Sequence, residues 1–258
     1  MMNSQQQWIA FSTIVRREIR RFMRIWPQTL VPPVITMALY FVIFGKLVGS
    51  RIGDMSSLPY IQFVAPGLIM MSVITNSYSN VVSSFFGSKF QSNIEELLVS
   101  PTPNWIILVG YVVGGMARGL GVGFIVTLLS LYFADFSLYS LPVTLGIVLM
   151  TSLMFSLAGL INAIFASSFD DISIIPTFVL TPLIYLGGVF YSIEMLSGFW
   201  QGLSMFNPIL YMVNAFRYGM VGITDINIMA SFAMVGLFSA ILFSVALWLL
   251  QNGSRLRN

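Results

Sequence analysis

Apolar residues fill this chain in long blocks, separated by shorter polar stretches. A run of about 20 largely apolar residues matches the hydrocarbon thickness of a bilayer. Blocks of that kind cover residues 27–49, 59–83, 105–133, 141–167, 172–192 and 228–250, and each is read as a transmembrane helix. Pro27, Pro32 and Pro33 open the first block, and Pro176 and Pro182 interrupt the fifth. Two mixed segments remain, 84–104 and 193–227. The predicted fold class is an all-α membrane protein with six transmembrane helices, forming one domain over residues 1–258. The first block is too long for the apolar core of a signal peptide and lacks a small-x-small cleavage site, so it is read as an uncleaved span.

Residues 8–26 follow a different pattern. Trp8, Phe11, Val15, Ile19, Phe22 and Trp26 recur every three or four positions, which places them on one helical face. Arg16, Arg17, Arg20, Arg21 and Arg24 fall on the opposite face. Such a helix suits the plane of the membrane interface, with its apolar side against lipid. The same spacing also suits a solvated helix packed on other protein.

Composition supports the membrane reading. Hydrophobic residues make up 57% of the chain and charged ones 8%, against roughly 25% charged in a soluble domain. The net charge of +3 matters less than its distribution. With both termini inside, the inner side holds Arg16, Arg17, Arg20, Arg21, Arg24, Lys89, Arg255 and Arg257, and the outer side Lys46, Arg51 and Arg217. The positive-inside rule then favours cytoplasmic termini, a cytoplasmic 84–104 and an external 193–227. The chain has no cysteine and no histidine, which removes disulfides, thiolate or imidazole metal sites and the usual near-neutral proton switch.

Motifs for catalysis are missing. Gly87-Ser88-Lys89 lacks the order and the upstream glycine of a P-loop, so no ATP-binding motif is visible. Nothing in the pattern points to a nucleic-acid partner. Segment 84–104 carries the most informative local signal. Ser92 and Glu95 have capping-box spacing, which predicts a short helix over Asn93 to Val99, ended by Pro101 and Pro103. Glu95 and Glu96 would meet water, and Leu97, Leu98 and Val99 would form an apolar edge. A docking helix for a cytoplasmic partner and an ordinary interfacial loop helix both fit.

Here a resemblance becomes specific. Glu95-Glu96-Leu97-Leu98-Val99-Ser100-Pro101-Thr102-Pro103 resembles the coupling segment of the type-2 ABC transporter permeases. Residues 206–219, from Phe206-Asn207-Pro208 to Arg217-Tyr218-Gly219, resemble the asparagine-proline signature before that family's last span. Residues 182–191, from Pro182 to Tyr191, resemble the stretch before it. The resemblance covers essentially the whole chain. It implies an exporter permease of the bacterial inner membrane, working as a pair of copies on two cytoplasmic ATPase subunits. The ATP and Mg belong to that partner, and this chain needs no cofactor or metal of its own. It implies coupling through Glu95, Glu96, Leu97 and Leu98 and through the arginine-faced helix. It also implies short re-entrant helices in 193–222, with Trp200, Pro208 and Tyr211 near the head groups, where a plain extracellular loop is the other reading. The cargo implied is an amphiphile, lipid-linked molecule, glycan or drug.

Three features inside the spans each allow two readings. Gly115, Gly119 and Gly123, with Gly110 and Gly114 nearby, suit close helix packing within one subunit or at a dimer seam. Arg118, near the middle of its span, either attracts an anionic group or bonds backbone carbonyls; an arginine there costs at least ~2.5–3.5 kcal/mol and is expected to face protein or a wet cavity. Ser72, Asn76, Ser79 and Ser83 form one polar stripe that either lines a translocation path or joins helices. Two other functions compete with the permease. A membrane anchor or assembly protein would leave the coupling segment unexplained. A secondary transporter usually needs acidic groups within its spans, and all nine acids, Glu18, Asp54, Glu95, Glu96, Asp135, Asp170, Asp171, Glu194 and Asp225, are placed in or beside loops.

Overall fold

The structure is a computed structural model that describes residues 2–55, 58–134, 136 and 138–252. Arg255, Arg257 and Asp135 lie outside the described residues, as does the side chain of Lys46. The chain begins with α1 (Ser4–Arg24). The helical path breaks at Ile25, where φ is −113° and ψ 35°. Thr29 closes the break by donating its hydroxyl to the Phe22 carbonyl at 3.1 Å. Pro27 sits in the first turn of α2 (Trp26–Val42), where a missing N–H costs nothing. A π-helical stretch, Ile43–Val48, carries the rod into α3 (Gly49–Ile52). A two-residue ladder, β1 (Asp54–Met55) against β2 (Leu58–Pro59), turns the chain antiparallel.

The longest helix, α4 (Tyr60–Phe90), forms the centre of the bundle. It runs seven residues beyond the expected limit of 83, because nothing between 84 and 90 breaks a helix. A short α5 (Asn93–Val99) follows, then α6 (Asn104–Ser130) and α7 (Leu141–Phe165). The segment expected as a fifth span is a broken helix. It consists of α8 (Asp171–Ile175), a π-helical stretch Pro176–Leu180, and α9 (Thr181–Tyr185). Pro176 and Pro182 remove two donors there, and Thr181 Oγ1 returns a bond to the Pro176 carbonyl at 2.9 Å. The helix ends at Tyr185, short of residue 192. Two more short helices, α10 (Gly198–Met205) and α11 (Pro208–Val221), precede α12 (Ile228–Asn252).

Among the described residues, four helical rods are long and apolar enough to cross a membrane: Trp26–Ile52, Asn104–Ser130, Leu141–Phe165 and Ile228–Asn252. The all-α membrane class stands on these four, not on the six spans expected. The two others differ for a physical reason. Polar side chains along α4 dilute its apolar character, and the prolines leave 171–185 as a short, broken element.

Small residues decide how closely the helices approach α4. On α6, Gly110 and Gly114 face Ile14 and Glu18 of α1, while Gly115, Gly119 and Gly123 face Val81, Ser77 and Val73 of α4. All five glycines therefore serve packing within the chain. Gly159 of α7 lies against the Tyr78 carbonyl, and Gly67 of α4 against the Val189 backbone, leaving no room for a Cβ. One apolar core surrounds the first half of α4, including Phe63, Leu68, Val213 and Val235. A second, including Phe85, Ile94, Tyr111 and Leu160, surrounds its C-terminal third and anchors α1 and α5.

Candidate translocation groove and arginine cavity

The side of α4 turned away from α6 and α7 is only partly covered. Three cavities lie along it. The first, about 350 Å³, is lined by Gln28, Pro32 and Thr36 of α2, Met71, Thr75, Asn76 and Ser79 of α4, and Arg118 of α6. The second, about 320 Å³, lies between Tyr78, Ser79 and Ser83 of α4 and Ile172, Ser173, Pro176 and Thr177 of the broken helix. The third, about 890 Å³, opens between α1 and the C-terminal end of α4. Ser79 lines the first and second, and Ser83 the second and third, so the three adjoin as a segmented groove along α4. From Met71 to Gly87 it follows α4 for about 24 Å at 1.5 Å per residue.

The expected polar stripe divides along this groove. Asn76, Ser79 and Ser83 line it, whereas Ser72 is fully buried with an unpaired hydroxyl. Asn76 donates to the Ser72 carbonyl at 2.9 Å, which turns its Oδ1 toward Arg118 at 3.2 Å. Arg118 also reaches the Thr29 carbonyl at 3.4 Å, and its Nε has no partner among the described residues. Arg118 thus bonds a backbone carbonyl and also borders an open cavity.

The largest of these three cavities is lined by Arg16, Arg17, Arg20, Arg21 and Arg24, with Thr13, Glu18, Ser83, Ser84, Gly87, Ser88, Gln91 and Asn93. The arginines do not form one uniform face. Arg17 donates to the Tyr111 hydroxyl at 2.5 Å, and Arg21 to Asn80 Oδ1 at 2.8 Å and the Asn80 carbonyl at 3.0 Å. Both lie 3.4 Å from the Glu18 carboxylate. Arg16, Arg20 and Arg24 make no hydrogen bond or ion pair among the described residues.

Glu18 corrects the sequence expectation most. It belongs to no loop edge: it is 1% exposed, faces α4 and α6, and accepts the Ser84 hydroxyl. Its neighbours on the buried face are Ile14 and Phe22, four residues away on either side. The apolar face of α1 is accordingly shared. Phe22 is buried in the protein, while Trp8 and Trp26 stay exposed. A lone acid among five arginines, flanked by apolar residues at i−4 and i+4, was the signal that sequence reasoning passed over.

The coupling segment forms its helix at Asn93–Val99 without the expected capping box. Ser92 stands in the left-handed region at φ 59°, and its side chain makes no cap. Ile94 is buried and fixes the helix, Leu97 and Leu98 are half-buried, and Glu95, Glu96 and Val99 are exposed.

At the far end of the bundle, Arg217 lies on α11 within segment 193–227. It is buried on α11, donating Nε to the Phe63 carbonyl at 3.1 Å and Nη2 to the Gly188 carbonyl at 2.7 Å. Its guanidinium lies 3.8 Å from the centre of the Phe63 ring. Gly188, at φ 68°, turns that carbonyl inward. Asn207 caps α11 through the Ile209 N–H at 3.0 Å and donates to the Leu183 carbonyl at 2.6 Å, so the asparagine-proline pair ties α11 to α9. Pro208 sits in the first turn of α11, the Tyr211 hydroxyl reaches the Met205 carbonyl at 2.9 Å, and Trp200 is exposed on α10.

Comparison with known proteins adds an independent line. Residues 9–221 match the ABC-2 type transporter family. The inner membrane transport permease YadH of Escherichia coli K12 is 58% identical over 251 residues, covering 97% of this chain and 98% of that protein. Nodulation protein J of Rhizobium leguminosarum bv. viciae is 25% identical, covering 86% of this chain and 85% of that protein. Nodulation protein J of Rhizobium meliloti is 23% identical, with 83% and 81% covered.

Proposed function

Because this chain belongs to the ABC-2 type transporter family, and is thus a transport permease of the membrane, we propose that the groove along α4 is its translocation path. One observation carries the reading: three adjoining cavities, two sharing Ser79 and two sharing Ser83, run from the arginine cavity to Arg118. Arg118, Asn76, Ser79 and Ser83 offer polar contacts to a head group, and the open side of the groove lets an apolar tail remain in lipid. The cargo is therefore an amphiphile, in the class of lipid-like, glycan-bearing or drug molecules.

The energy comes from a separate cytoplasmic ABC ATPase, two copies of which bind ATP and Mg. Glu95, Glu96, Leu97 and Leu98 of α5 dock on that subunit. Ile94 and the arginine-faced α1 pass the movement to α4 and α6. Six membrane passages, counting α4 and the broken 171–185 helix, put both termini in the cytoplasm and the protein in the bacterial inner membrane. Segment 193–222 re-enters at the outer surface. A second permease copy completes the path. The exposed apolar faces of α2, with Ile35 and Leu39, and of the broken helix, with Phe178, support that pairing.

Copurification tests the proposal. The permease purified in mild detergent should carry an ATPase, and Glu95→Arg with Glu96→Arg should release it. Absence of any ATPase from the wild type would overturn the permease assignment; capture untouched by the charge reversals would overturn the coupling role of α5.

A further inference from the structure

The arginine cavity contains more positive charge than the fold uses. Glu18, Tyr111 and Asn80 hold Arg17 and Arg21 as a fixed wall. Arg16, Arg20 and Arg24 stand four residues apart in one row along α1 and have no partner among the described residues. All five arginines line a space of about 890 Å³ whose one carboxylate, Glu18, is already engaged. Like charges gathered around one space repel, and in the described chain only Glu18 offsets them, through Arg17 and Arg21. Ser83, Ser88, Gln91 and Asn93 add neutral hydrogen-bonding groups to the same walls.

We propose that this cavity is a binding site for the phosphate group of an anionic amphiphile. Three observations lead to that class. Guanidinium forks match phosphate oxygens in bidentate geometry, and five of them suit a dianionic or pyrophosphate group better than a single carboxylate. The concave space, about 890 Å³, is large enough to admit a head group. On the same helix, Trp8 and Met23 stay exposed, as does Trp26 just beyond the break, forming an apolar margin of the kind that settles at head-group depth. The phosphate would sit at the mouth of the α4 groove, within reach of Ser83. The inference rests on the permease reading only for the orientation that makes the cytoplasmic leaflet the source of the lipid.

Lipid retention and anion binding test it on the full chain. The protein is reconstituted in phosphatidylcholine nanodiscs with and without phosphatidylglycerol, washed in detergent, and its retained lipid identified by native mass spectrometry. In parallel, inorganic pyrophosphate is titrated calorimetrically. The wild type should retain phosphatidylglycerol over phosphatidylcholine. Arg16→Gln, Arg20→Gln and Arg24→Gln combined should weaken retention at least about tenfold, the change that one charge-assisted hydrogen bond is worth. Arg51→Gln, an exposed arginine on α3, should leave it unchanged. Displacement of the lipid by pyrophosphate supports a lipid-borne phosphate, and pyrophosphate binding without lipid retention supports a soluble phosphate at the same site. Equal retention and equal pyrophosphate binding by the triple variant and the wild type, or equal loss in Arg51→Gln, would overturn the site. If the triple variant aggregates, Arg20→Gln alone should still lower binding severalfold, and no loss there has the same force. Failure here leaves ATPase capture, and so the permease reading, untouched.

Discussion

Arg217 and Glu18 are both charged residues inside the protein, and each is held there by several bonds. Arg217 satisfies the Phe63 and Gly188 carbonyls from one guanidinium and stacks on the Phe63 ring. Arg217→Met would fill the space but leave the buried Gly188 carbonyl without a donor, at a cost of about 1–3 kcal/mol, and strip the Phe63 carbonyl of its second bond. A thermal melt of the detergent-solubilised protein should fall clearly for Arg217→Met and less for Arg217→Lys, which keeps one donor. Glu18 is different because its partners are themselves charged. Glu18→Gln leaves Arg17 and Arg21 facing each other without their counter-ion. Insertion and folding should persist, since Ile14, Phe22 and the glycine contacts remain. ATP-driven transport should drop, because α1 loses its charged tie to Ser84 of α4. Transport measured in vesicles at wild-type rate would show that the tie is only structural.

The elements owe their placement to small residues and to the turns between them. Gly159 on α7 meets the Tyr78 carbonyl, a backbone atom that cannot swing aside, so Gly159→Ala should destabilise by about 1–3 kcal/mol. Gly121 on α6 faces open space, so Gly121→Ala should be neutral or slightly stabilising. Comparing the two melts checks that α7 is seated on α4 at this depth. The turn between α7 and α8 depends on a carboxylate. Asp171 accepts the backbone N–H of Ser167 at 2.8 Å and of Ser168 at 3.0 Å, and these bonds, with the Ser168 hydroxyl, lower its pKa below the ordinary carboxylate value. A carboxylate lowered on folding stabilises above its unfolded pKa, and that contribution is lost as pH falls through the folded one. Asp171→Asn should therefore lower the melt at neutral pH and flatten its acid limb, the two proteins converging as the pH falls through the folded pKa. An unchanged acid limb would mean that the turn does not contribute.

For the whole molecule the open question is its assembly, and the absence of cysteine makes that directly measurable. Single cysteines placed at Ile35 or Phe178, exposed on α2 and the broken helix, should cross-link two copies in membranes. A cysteine at Phe124, exposed on α6, should not. Cross-linking through Phe124 instead would move the dimer seam to the other side of the bundle and leave the groove open to lipid. Two further variants, Val99→Cys on α5 and Phe199→Cys on α10, fix sidedness, since each residue is exposed at one end of the bundle and a membrane-impermeant thiol reagent reaches only one end from each side.

The sequence alone determined the membrane class, the short helix at Asn93–Val99, the arginine row on α1 and the family resemblance, because these depend on local periodicity and on residue types that cannot be hidden in water. It did not determine which face of each helix meets protein. Arg217 and Glu18 looked like interfacial charges, since a chain read in order carries no sign of the carbonyls and hydroxyls that reach them from α4 and from the turn at Gly188. The capping box at Ser92 looked sound by spacing, yet the turn out of α4 holds Ser92 at positive φ and withdraws its side chain. The groove is also beyond sequence reading. Ser72, Asn76, Ser79 and Ser83 share one stripe, but Ser72 is buried while the others border space, because α2, α1 and the broken helix leave only part of that stripe uncovered. Periodicity sets which residues share a face, and only tertiary packing decides what that face meets.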